Sequence, residues 1–129
     1  MYLSVEDIVR GDVSAHEHAM EIPIEEVVRE LVALLGATTV AVIGGVKETR
    51  AVSQWISGRA PQRPHVLRFA LQLGSMIASQ ATNEIARAWF HGSNPQLGDA
   101  IPMMVLRDGQ LNDIQGPLLA AARSFAARS

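Results

Sequence analysis

The side chains best suited to proton or metal chemistry are the histidines His16, His18, His65 and His91. Catalysis needs a nucleophile, a base and an orienting group, or a metal set, brought to one place. These histidines are scattered, with no triad, nucleotide loop or metal motif around them. His16 and His18 are two positions apart and so share a face only in a strand; the segment does not read as one, and no third ligand is near. His91 falls at the end of a helix, where a cation meets the dipole favourably, and a structural role accounts for it. Cysteine is absent, which removes disulfides, thiolate metal sites and thiol nucleophiles together. The residues predict no enzyme, no cofactor and no metal site.

A second chemistry is recognition through charge. The net charge of −2 conceals an asymmetry along the 129 residues. Up to Leu35, the acidic Glu6, Asp7, Asp12, Glu17, Glu21, Glu25, Glu26 and Glu30 outweigh Arg10 and Arg29, an end that repels nucleic acid. From Val46 to Arg68 the balance reverses: Lys47, Arg50, Arg59, Arg63 and Arg68 stand against Glu48 alone, with His65 beside them. Arginine pairs with guanine edges or phosphate and glutamine with adenine, so Arg50 and Gln54 fall in a segment suited to a major groove.

Helices must position these groups, and the apolar spacing supplies them. Residues 1 to 22 read as an acidic lead-in, with one helical turn over Val5 to Val9 and a weakly structured stretch at Gly11-Asp12. Pro23 suits a helix start, and Ile24, Val27, Val28, Leu31, Leu34 and Leu35 recur three and four apart until Gly36. A short helix capped by Thr38 or Thr39 runs through Ile43 and ends at Gly44-Gly45; another, capped by Thr49, runs to about Ser57 before Gly58. From His65 to Trp89 the apolar spacing gives one long helix, or two broken between Ser79 and Asn83. Gly92-Ser-Asn-Pro95 is a turn, Pro102 opens a short helix closed by Asp108-Gly109, and a last helix covers Leu111 to Ala127 with Pro117 at its true first turn. The chain reads as all-α, with one core and two functional regions.

Two short helices across a glycine-containing turn, the second basic, fit a helix-turn-helix. Val52, Trp55 and Ile56 share the inner face of the second helix. Arg50, Ser53, Gln54 and Ser57 point outward as DNA-facing candidates, and Arg59 and Arg63 lie beyond the helix, placed for phosphates. The residue types equally fit a solvated helix face that touches no DNA.

Trp89, Asn94-Pro95, Leu97-Gly98 and Pro102, followed by Leu106, resemble the C-terminal domain of Xre/MbcA/ParS-type antitoxins. Gly45-Val46, Trp55, Gly58 and Pro61 look like the upstream helix-turn-helix of that family, so the resemblance covers about residues 27 to 126. It implies a chain that binds a RES-domain, NAD-consuming toxin, blocks its active site and represses its own operon, as a homodimer within a larger hetero-oligomer. The architecture expected is an acidic lead-in (1–22), a helix-turn-helix-like bundle (23–82) and a small helical toxin-binding region (83–129).

Within that last region the adaptable methionines Met103 and Met104, the turn residue Asn94, and the polar Asp113, Gln115, Arg123 and Arg128 are the candidate toxin contacts. Large apolar residues at helical spacing are usually buried, so Trp89 and Leu97 read as core, whereas the segment after Leu111 reads as partner contact. A stand-alone helix-turn-helix transcription regulator is the alternative. No apolar run spans a bilayer and the N-terminus lacks a basic, apolar leader, so a cytoplasmic protein is expected.

Overall fold

A computed structural model describes residues 5–128, and among them every regular element is helical apart from one isolated β-bridge between Asn94 and Ala100. The order is α1 (Val5–Glu21), α2 (Ile24–Leu35), α3 (Ala37–Gly44), α4 (Thr49–Ile56), α5 (Pro64–Gln80), α6 (Asn83–His91), a 3₁₀ turn (Pro95–Leu97), α7 (Pro102–Asp108) and α8 (Leu111–Ala127). None of these helices is long and apolar enough to cross a membrane.

The centre is α5, against which α1, α2, α3, α6 and α8 all pack. Its sequence explains the position: Val66, Leu67, Phe69, Ala70, Leu71, Leu73, Met76 and Ile77 are buried, so apolar residues occur on several sides of the helix. One continuous apolar core results, running from Ala15 and Ala19 of α1 to Leu118 and Ala122 of α8. The break after α5 leaves two helices, because the Thr82 hydroxyl accepts from the Ile85 N–H at 3.1 Å and caps a new start.

Local signals misplace several details. Residues 5–21 form one helix through Gly11 and Asp12 rather than a single turn, since long-range contacts outweigh the low helix propensity of glycine. Ala15 and Ala19 are buried, His16 meets Gln72 at 3.0 Å, and Asp12 forms an ion pair with Arg123 of α8. None of Thr38, Thr39 and Thr49 acts as a cap: α3 starts after Gly36 with Thr38 and Thr39 inside it, and α4 starts after Glu48 without a side-chain cap.

Pro117 sits within α8, whose start is set by the Gln110 carbonyl accepting from Asp113 and Ile114 at 2.9 and 3.1 Å. Asp113, whose carbonyl stands where the missing Pro117 N–H would bond, is exposed along with Gly116 and Pro117, so the helix carries its proline on the solvent side. Along the same helix Ile114, Leu118, Ala121, Ala122 and Ala126 are buried. One side of the segment expected to contact a partner is therefore core.

Candidate functional site

The first exposed face is on α4. Val52 and Trp55 are buried, and the Trp55 ring lies over Gly44 so closely that a Cβ there would fall 2.5 Å from it. This contact fixes α4 against α3 and turns Arg50, Ser53 and Ser57 to solvent, as the spacing indicates. Gln54 is half-buried, and its side-chain carbonyl accepts from Arg59 Nη1 at 3.3 Å.

The basic run divides by what its arginines hold. Arg63, expected beside DNA phosphates, instead donates to the Ile43 carbonyl at 2.8 Å and the Leu106 carbonyl at 2.9 Å. It thereby satisfies the last turns of α3 and α7, where carbonyls lack intrahelical partners and the dipole favours a cation. Arg68 does the same for α1, donating to the carbonyls of Ala19 at 2.8 Å and Ile22 at 2.7 Å. Arg87 Nε meets the Leu34 carbonyl of α2 at 3.3 Å. Lys47, Arg50 and Arg59 are the cations of the run that stay exposed around α4, with His65 exposed at the start of α5.

The second candidate surface is a groove of about 430 Å³ between α6, the loop after it, and α8. Its walls are Ile85, Ala88, Trp89, Ala121 and Phe125, with Ser93, Asn94, Gln96, Ser124 and Arg128 at its polar margin. Trp89 is 6 % exposed, edge-on to Phe90 with ring centroids 5.2 Å apart, and its indole N–H is buried without a hydrogen-bond partner. Ile85 and Phe125 are 41 % and 37 % exposed.

Asn94 organises the loop that bounds this groove. Its side chain accepts from the Gln96 N–H at 2.9 Å, its carbonyl accepts from Leu97 and Asp99, and its N–H donates to Ala100. Gly98 takes a left-handed backbone at φ 63°, a conformation glycine adopts without steric cost, and its N–H returns to the Pro95 carbonyl. Gln96 Nε2 then donates to Ser124 Oγ at 2.8 Å and ties the loop to α8. The Asn94 side chain is thus engaged in closing the loop.

The expected toxin contacts do not form one surface. Asn94 and Arg128 border the groove, Met103 and Met104 are half-buried in α7, and Asp113 and Gln115 lie in the first two turns of α8. Arg123 faces α1 and is held by Asp12. The apolar groove itself was missed, because Ile85 and Trp89 of α6 meet Phe125 of α8 only in the folded chain.

His16, His18 and His91 are engaged separately. His18 Nε2 contacts the Glu30 carboxylate at 2.8 Å, and His91 bridges the Thr39 hydroxyl and the Arg87 carbonyl. Among the described residues no group of three His, Asp or Glu side chains is placed to hold a metal ion. Comparison with protein-family models, curated proteins and solved structures finds no match to this chain.

Proposed function

We propose that this chain is an antitoxin that binds a RES-domain, NAD-consuming enzyme and blocks its active site. The observation carrying the reading is the apolar groove bordered by the Asn94-closed loop, with Ile85 and Phe125 exposed in its walls. The residues behind the resemblance have coherent local roles around it: Trp89 is a buried wall, Asn94 to Gly98 shape the loop, Pro102 opens α7 and Leu106 is core. An exposed apolar depression on a folded scaffold suits a protein partner. Neutralisation then needs no chemistry from this chain, only occlusion of the enzyme's cleft.

Co-expression with the neighbouring gene product, co-purification and a cellular NAD⁺ assay test the proposal. A stable complex with preserved NAD⁺ is expected. No complex and no rescue overturns it.

The exposed face of α4 favours operator binding as a second activity, with Arg50, Ser53, Gln54, Ser57 and Arg59 as its readers and phosphate contacts. This activity would allow the chain to repress its own operon. Without a RES-domain partner, the same face supports a stand-alone regulator. In either arrangement a homodimer would place two copies of α4 on one duplex.

A further inference from the structure

We propose that the groove between α6, the Gly92–Gln96 loop and α8 receives a single apolar side chain of the protein partner, with a carboxylate next to it that pairs with Arg128. The inference rests on the antitoxin reading and specifies the chemistry by which the partner is held.

Size and lining define the occupant. A space of about 430 Å³ accommodates a side chain with its flanking backbone, and the groove is tied across by the Gln96 to Ser124 bond. Its walls are apolar, and Ile85 is among the few large apolar side chains exposed by more than a third. Covering such surface is favourable in proportion to the apolar area removed from water.

Charge and hydrogen bonding define the rest. Among the described residues, Arg128 is the ionisable side chain lining the groove, so electrostatic complementarity selects an acidic group from the partner. Its planar guanidinium can hold a carboxylate with two parallel bonds.

Binding of the full-length chain to the RES-domain enzyme is measured by calorimetry for the wild type, Ile85→Asp, Arg128→Glu and Arg128→Lys, with sedimentation velocity on each chain alone. Ile85 and Arg128 are exposed, so circular dichroism and thermal melting should match the wild type. The expected result is an affinity loss of about tenfold or more for Ile85→Asp and Arg128→Glu, and a smaller loss for Arg128→Lys, which keeps the charge but not the planar fork. Wild-type affinity in both Ile85→Asp and Arg128→Glu overturns the groove as the contact while leaving the antitoxin reading standing. If Ile85→Asp instead dissociates a homodimer with enzyme affinity unchanged, the occupant is a second copy and the proposal is wrong. Failure of the wild-type chain to bind the enzyme removes the antitoxin reading, and this inference with it.

Discussion

Thr39 of α3 and His91 of α6 meet at 2.8 Å between the threonine hydroxyl and Nε2, across 52 positions of sequence. The other ring nitrogen, Nδ1, lies 2.7 Å from the Arg87 carbonyl, which can only accept. Nδ1 therefore carries the proton in the neutral ring, and the Thr39 hydroxyl donates to Nε2. This pair fastens α3 to α6, the helix that bears Trp89. Thr39 is buried, so Thr39→Val keeps the shape and removes the donor. The expected cost is about 1 kcal/mol, read as a lower denaturation midpoint at unchanged slope. A midpoint equal to the wild type would show that the bond contributes nothing.

Arg68 should matter most for α1. Its guanidinium donates to the carbonyls of Ala19 and Ile22 at the end of that helix, and Ala15 and Ala19 are small residues that bury little area. Arg68→Met keeps much of the apolar stem and deletes the charge-assisted bonds. The expected loss is about 2 kcal/mol, with faster hydrogen exchange concentrated in residues 11–21. Uniform acceleration across α2 and α5 would place the role of Arg68 in the core instead.

These two interactions show why the fold was legible in part. Pro23, Gly36, Gly45 and Pro102 act within a few residues of themselves, and the boundaries of α2 and α7 followed from them, whereas the spacing left one helix or two open after His65 and the Thr82 cap decides for two. Helix α1 depends on Arg68, Gln72 and Arg123, which lie 49 to 111 positions from the Ala19, His16 and Asp12 they hold, so no local window contains the reason it forms. The same limit applies to charge. Arg50, Arg63 and Arg68 look alike in sequence, and only the folded chain shows that Arg63 and Arg68 hold helix ends while Arg50 faces solvent. The groove escaped because helical spacing places Ile85 near an inner face without saying whether another helix covers it.

Gly44→Ala tests how α4 is seated. The added Cβ would lie 2.5 and 2.9 Å from two atoms of the Trp55 ring, which is rigid and 5 % exposed. Overpacking of this kind costs about 1–3 kcal/mol, against a helix-propensity gain of about 1 kcal/mol, so the net effect is destabilising. A lower melting temperature with a changed near-ultraviolet tryptophan signal is expected. An unchanged or raised melting temperature would mean that α3 and α4 separate freely.

The two proposed surfaces should fail separately, because α4 and the groove draw their exposed residues from different helices. Arg50→Ala combined with Arg59→Ala removes exposed cations beside α4 and none of the bonds that Arg63 makes to α3 and α7. Binding to promoter DNA should weaken, and the dependence of log K on log salt should flatten by about one unit for each phosphate that is no longer neutralised. Protection of cellular NAD⁺ against the RES-domain enzyme should stay at the wild-type level. Arg63→Ala should behave differently, lowering the melting temperature and weakening both activities, since its guanidinium joins Ile43 in one half to Leu106 in the other. Equal loss of both activities in the Arg50 and Arg59 double variant, at unchanged stability, would mean that the α4 face also touches the enzyme and that the two surfaces are one.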